Sequence, residues 1–418
     1  MSMSKYLIGA AIGFAVGALW VSRRLIETKN KETLLKKDTC MYIGIDLGGT
    51  TLSVALVNSN GTKVSSSSSN ISNHAISATS PNQKNDSRSF YNVLNLMTKL
   101  VNQAIQNAND QRENENECPI NIDNITAIGI GAPGLLDTTK GIILAIANFE
   151  WENVHITDTL AKSLQINPSK VFLENDANSA LLAELWIGAG KNKQNVVMLT
   201  LGTGVGCAIM SDGHLLRGHN GDAGEMGHTI LIPNGRSHGS TGVHGIFEGY
   251  ASATAVVARV KEQLKSCKQP SPLRSIEHTG TLTCADIFRH ATLNSVTNFF
   301  DGNNSDSTSS TSGSDLNTGN VVLCNIAKNI VMETIEYVGI GCINVCRCFD
   351  PEIVILTGGM TRAGDPFLNG IRDSFCKHHW NITASKKNRI VLAKCGSDAG
   401  TIGAAAAALL RQGGSLNL

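Results

Sequence analysis

Three short runs of this chain gather side chains that can do chemistry. In VFLENDANSALLAELWIG, Glu174, Asn175 and Asp176 leave an apolar strand and enter a helix. A carboxylate at such a junction either caps the helix or takes the proton of a hydroxyl held beside it. In the second role, Asn175 would fix the hydroxyl and Asp176 would be the base. In RGHNGDAGEMGH, residues 217–228, Glu225 and His228 lie three apart and share one side of a helical or turn geometry. A metal pair and a hydroxyl-binding pair both fit that spacing. Glu248, in GIFEGYAS, follows a glycine-rich loop at a helix start. It is placed to bind two vicinal hydroxyls or to complement the helix dipole.

Two glycine turns supply what a base alone lacks. Residues 41–57, MYIGIDLGGTTLSVALV, carry an apolar strand into Asp46, then Gly48, Gly49 and Thr50, then a second strand. Residues 196–210, VVMLTLGTGVGCAIM, repeat the idea with Gly202, Thr203 and Gly204. A turn without Cβ atoms lets backbone amides approach a phosphate. Asp46 is placed to hold a metal ion beside it. Phosphoryl transfer from ATP needs an anion cradle, a metal-linked carboxylate and a base, and these runs offer all three. Taken singly, each glycine also reads as an ordinary turn residue.

The elements that must position these groups follow from periodicity. Residues 91–109 space apolar side chains three and four apart, as an amphipathic helix does, and 125–130, ITAIGI, read as a strand. Helices are expected from about 177, over 249–266, 281–292 and 320–345, and in the alanine-rich 400–411; strands over 171–173 and 351–357. After the strand comes Gly358-Gly359, opening a loop. Strands in hairpins followed by helices, twice over, predict two related α/β domains around a cleft. The expected division is 41–157 plus about 398–418 for a smaller domain and 158–397 for a larger one. Residues 301–319, DGNNSDSTSSTSGSDLNTG, have almost nothing to bury and read as a disordered insertion. At 418 residues and 42% hydrophobic, the chain can build two substantial cores. Its 35 basic and 34 acidic side chains leave a net charge of +1, which gives no sign of nucleic-acid binding.

The N-terminus differs in kind. Residues 6–21, YLIGAAIGFAVGALWV, are uncharged, with Lys5 before them and Arg23 and Arg24 after. As a helix they span about 24 Å against about 30 Å of bilayer core, a gap that snorkelling flanks nearly close. Gly9, Gly13 and Gly17 line one face. The expectation is a membrane anchor over 1–24 and a polar tether over 25–40. The positive flank would keep the catalytic body on the cytosolic side. A cleaved secretory peptide and a plastid or mitochondrial targeting segment are the rivals.

In order along the chain, IGIDLGGT, GIGAPG at 129–134, ENDAN at 174–178, LGTGVG at 201–206, AGEMGH at 223–228, GIFEGYAS at 245–252 and LTGGMTRAGD at 356–365 resemble the motifs of the ROK family of sugar kinases and repressors. The resemblance runs from Met41 to about Leu410. It implies the actin-like ATPase fold, of the ribonuclease-H-like type, and an ATP-dependent hexose kinase using Mg²⁺, glucose being the default acceptor. It also implies Asp176 as base and Asn175, Glu225, His228 and Glu248 as sugar-binding residues. The phosphate side would be Asp46, Gly48, Gly49, Thr50, Gly202, Thr203, Gly204, Gly358 and Gly359. A homodimer is expected. N-acetylmannosamine, N-acetylglucosamine and fructose kinases share these motifs, and a membrane-tethered sugar sensor without turnover is the rival. Some members of the family are repressors with an N-terminal helix-turn-helix; residues 1–40 show no such unit.

One departure stands out. The family's zinc site uses a His, matched by His228, and three cysteines, whose positions here hold Gly239, Thr241 and Ile246. None of these three ligates zinc by a side chain. The expectation is a loop without zinc, ordered by packing of residues such as Ile246 and Phe247. A site rebuilt with His238 and His244 is the alternative.

Overall fold

The computed structural model describes residues 40–71, 89–112, 118–146, 149–239, 241–267, 271–291, 324–378 and 389–416. The chain opens with an antiparallel meander of β1 (Met41–Leu47), β2 (Thr51–Asn58) and β3 (Lys63–Asn70). Helix α1 (Phe90–Asp110) leads to β4 (Ile125–Ala132), which pairs in parallel with β1. A small antiparallel sheet follows, of β5 (Leu135–Asp137), β6 (Ile142–Ile146) and β7 (Trp151–His155). Helix α2 (Ile156–Leu164) then returns the chain to β8 (Val171–Asn175), parallel to β4. The first sheet thus has the order β3-β2-β1-β4-β8. Its last strand ends at Asn175.

After α3 (Asp176–Trp186) the plan repeats. A meander of β9 (Val196–Leu201), β10 (Val205–Ser211) and β11 (His214–Leu215) comes first. Helices α4 (Glu248–Ala251), α5 (Ala253–Ser266), α6 (Pro272–His278), α7 (Cys284–Ala291) and α8 (Asn325–Phe349) follow. Then β12 (Ile353–Thr357) pairs in parallel with β9, α9 (Asp365–His378) intervenes, and β13 (Ile390–Leu392) pairs in parallel with β12. The order β11-β10-β9-β12-β13 is that of the first sheet. The chain closes with α10 (Ala399–Arg411).

In each half the helix after the fifth strand turns inward. Helices α3 and α10 pack on each other, and one core joins them to a face of each sheet: Tyr42, Val57 and Ala127 from the first, Met198, Met210 and Ile355 from the second. Small side chains make this possible. A Cβ at Gly44 or Gly129 would run into the backbone carbonyls of Thr401 or Ala404, so β1 and β4 bring bare backbone against α10. The alanines of α10 serve the same close approach. Strands covered on both faces read as near-continuous apolar runs, as β1 and β4 do.

Elsewhere the local expectations meet particular reasons. The serine run 65–69 lies in β3, at the edge of the first sheet; Ser65 and Ser67 point inward and donate to the carbonyls of Ala104 and Leu100 on α1, at 2.6 and 2.7 Å. The helix expected over 249–266 is broken at Ser252, whose side chain caps α5 by accepting from the Ala255 N–H at 3.1 Å. Cys342 and Cys346 are buried on α8, and Cys348 is exposed.

The membrane attachment expected through residues 6–21, with its cytosol-facing body and its organelle alternatives, is corrected. Among the described residues no helix is long and apolar enough to cross a membrane, and residues 1–39 lie outside them. The insertion 301–319 also lies outside the described residues.

Candidate active site

The strand ends of both sheets open on one cavity of about 550 Å³. Asp46 reaches it from the end of β1 and Asp176 from the first turn of α3. Gly202, Thr203 and Gly204 reach it from the β9–β10 turn, Gly358 from the end of β12. Glu225, His228 and Glu248 face the same space. An adjoining cavity of about 330 Å³ continues past Asp176 and Glu225 to Asn175, Gly134 and Gly221. On the other side lies a mainly apolar cavity of about 650 Å³, lined by Gly202, Thr203, Phe288, Gly359 and Met360 among others.

The junction of β8 and α3 decides how Asp176 is used. Asn175 is the helix cap: its Oδ1 accepts the N–H groups of Ala177 and Asn178 at 2.9 and 3.2 Å. Asp176 stands one residue inside and shares the Ala177 N–H with that cap, its Oδ1 accepting it at 2.8 Å. Glu174 is buried behind them. Its Oε1 accepts from Asn175 N–H and Asn178 Nδ2, both at 3.1 Å, and its Oε2 takes Arg217 Nη2 at 2.5 Å. Arg217 follows β11, so this ion pair ties the first sheet to the second beneath the cavity.

The electrostatics set the two aspartates apart from ordinary carboxylates. Burial, with the nearby Asp176 charge second, lifts Asp46 from 3.8 to about 6. Burial also holds Asp176 above the usual range, against the N–H of Ala177, which lowers it. Two carboxylates desolvated in one cavity cost free energy when both ionise. A bound cation removes that cost, so the donor set suits a divalent ion on the Asp46 side.

Glu248 is held from two directions. Its Oε2 accepts the Val205 N–H at 2.7 Å and its Oε1 lies 2.8 Å from His238 Nε2. Glu225 precedes a short 3₁₀ turn, Met226–His228, that His228 ends, and both side chains are exposed where they line the cavity. The predicted residues brought together are thus Asp46, Asp176, Gly202, Thr203, Gly204, Glu225, His228, Glu248 and Gly358, with Asn175 and Gly359 in the flanking cavities. Gly48, Gly49 and Thr50 form the β1–β2 turn but do not line these three cavities. Gly396, Ser397 and Gly400 line the central cavity and were missed. Their signal was present: glycines just ahead of an apolar helix, where N–H groups lie open to an anion.

The ROK family matches residues 42–299 and 306–411. The chain belongs to the ROK family. A glucokinase of Thermotoga maritima is 32% identical over 89% of this chain and 98% of its own length. A glucokinase of Halalkalibacterium halodurans is 29% identical over 87% of this chain and 93% of its own. Among solved structures, a ROK family glucokinase from Streptomyces griseus, in complex with glucose and AMPPNP, superposes with a TM-score of 0.59 at 24% identity, covering 87% of this chain and 98% of that one. That likeness establishes the ROK sugar-kinase fold, of the actin-like ATPase type.

The family's zinc set does not fit the residues present. Ile246 is buried in the core under the loop, and Thr241 Oγ1 is 2.9 Å from His238 Nδ1. His238 turns its Nε2 to Glu248, and His244 Nδ1 lies 2.9 Å from the Gly235 carbonyl. Among the described residues there is no group of three or more His, Cys, Asp or Glu placed to hold a metal ion.

Proposed function

We propose that this ROK protein is an ATP-dependent hexose kinase whose acceptor is glucose. The observation that carries the reading is the meeting, in one cavity, of Asp176, the 202–204 glycine turn and the hydroxyl-binding set Glu225, His228 and Glu248, with Asn175 rather than Asp176 as the helix cap. Asp176 would take the proton of the sugar's 6-hydroxyl, and that oxygen would attack the γ-phosphorus in line. Asn175 would orient the acceptor from the flanking cavity. The N–H groups of the 202–204 turn and of the start of α10 would cradle the phosphates. The apolar cavity beside Phe288 and Met360 would take the adenine. Mg²⁺, held on the Asp46 side, would neutralise charge on the phosphates. Movement of the two halves about α3 and α10 would exclude water, which otherwise wastes ATP.

The two glucokinase relatives, at 29 and 32% identity, support glucose over the acetylated hexosamines and fructose. The test is ADP release by the full chain with Mg²⁺ across glucose, fructose, mannose, N-acetylglucosamine and N-acetylmannosamine. Saturable release that is fastest with glucose is expected. Another preferred sugar would overturn the substrate, and no release with any sugar would overturn the kinase.

A further inference from the structure

We propose that His238, backed by Thr241, is the positioning residue that aims Glu248 at the acceptor and so sets which hydroxyl pair the site takes. This rests on the sugar-kinase reading above.

Glu248 opens a helix of only four residues, and its side chain has several rotatable bonds, so the helix alone does not aim it. It is nevertheless pinned at both oxygens. Oε2 accepts the Val205 N–H at 2.7 Å, and a Cβ at Gly204 would strike that oxygen, so the 202–204 turn leaves it room. Oε1 meets His238 Nε2 at 2.8 Å. A carboxylate offers two acceptor directions on each oxygen. One on each is used by protein donors, and one on each is left for substrate. That is a fork for two neighbouring hydroxyls, and its angle depends on both pins.

The imidazole is itself oriented. Its Nδ1 lies 2.9 Å from Thr241 Oγ1. A Thr241 hydroxyl donating to Nδ1 leaves the ring proton on Nε2, where it donates to Glu248. The opposite tautomer would set a lone pair against the carboxylate oxygen. The loop that carries both residues is closed by its own backbone: His238 N–H donates to Val243 O and Gly242 N–H to His238 O, each at 2.8 Å. Thr241 stands at one of the positions where the family has a zinc cysteine. In this chain that position serves a hydrogen-bonded relay, Thr241 to His238 to Glu248.

The test compares wild type, H238A, H238Q and T241V as full chains. ADP release is measured against sugar and against ATP, and sugar binding without ATP is measured by calorimetry, with glucose and its epimer mannose. Loss of one charge-assisted hydrogen bond predicts about a tenfold rise in sugar KM and Kd for H238A, and a smaller glucose-to-mannose ratio. KM for ATP should stay unchanged. H238Q keeps an N–H donor near the Nε2 position and should recover most of the loss; T241V should fall between. A merely structural histidine would lower the unfolding midpoint and leave sugar KM and discrimination in place, which overturns the proposal. Should H238A fail to fold, H238Q and T241V decide it by the same readouts. Wild type that binds sugar without turnover would count against the kinase alone, since the calorimetric comparison still reads His238. Wild type that binds no sugar would overturn both.

Discussion

Replacing Asp46 by asparagine should make the ligand-free protein more stable and the enzyme worse. Asp46 lies in the shared cavity beside Asp176 and is raised from 3.8 to about 6, by burial first and by the Asp176 charge second. A carboxyl with a raised native pKa binds its proton more tightly when folded. Below about pH 3.8 it is protonated in both states, and its contribution to stability is fully present. As pH rises through the native value near 6, that contribution is lost, and above it the loss is constant. The gap of about 2.2 pH units, at about 1.36 kcal/mol each, comes to about 3 kcal/mol at pH 8. At pH 5, where the native carboxyl still holds most of its proton, the same linkage gives about 1.6 kcal/mol. The amide that replaces the carboxyl carries no charge and escapes the penalty. Urea unfolding of wild type and D46N, at pH 5 and pH 8 without nucleotide or divalent ion, reads the difference directly. Adding Mg²⁺ with a non-hydrolysable ATP analogue should stabilise wild type at pH 8 and stabilise D46N much less. A D46N chain no more stable than wild type at pH 8, or an advantage that does not change with pH, would refute the electrostatic reasoning. Equal stabilisation of both chains by the Mg²⁺ nucleotide would remove Asp46 from the metal side.

D176N should lower kcat by about 10²–10⁴-fold, the range for loss of a general base, with sugar binding by calorimetry nearly unchanged; intact turnover would end the base assignment. In wild type, kcat/KM should fall as pH drops from 8 to 5, because Asp46, raised to about 6, takes up its proton across that range; a flat profile would contradict this. R217M leaves Glu174, 1% exposed, without its cation. Removing one partner of a buried pair costs about 3–5 kcal/mol, and the partly exposed arginine puts this case near the low end; a loss below about 0.5 kcal/mol in urea unfolding, the range of ordinary surface changes, would show that the pair does not hold the halves together. G129A drives a methyl into the Ala404 carbonyl and should destabilise by about 3 kcal/mol or abolish soluble expression; a stable variant would disprove the close seating of α10 on β4.

Much of the site was legible because its parts are local. A strand end, a turn and a helix start lie within a few residues of one another, so ENDAN, LGTGVG and AGEMGH announce their backbone and their chemistry together. Periodicity likewise marked α1, α8 and α10 to within a few residues, since one buried face imposes it. The apolar run at 6–21 lies outside the described residues, and among those no helix is long and apolar enough to cross a membrane.

What the sequence determined by itself was the set of chemical groups and the element beneath each. What the tertiary structure alone decided was which of them meet. It drew Gly396, Ser397 and Gly400 into the cavity and left Gly48, Gly49 and Thr50 outside its lining. It carried the first sheet on to Asn175 and paired Glu174 with Arg217, 43 positions away. It buried the Glu184 carboxylate on α3 and had it accept the N–H groups of Ala189, Lys394 and Cys395, which fixes the approach to α10. These contacts join residues whose separation along the chain carries no period. They exist because two sheets of the same order stack on α3 and α10, and that stacking is settled by bare backbone at Gly44 and Gly129 and by the volume of every side chain between them.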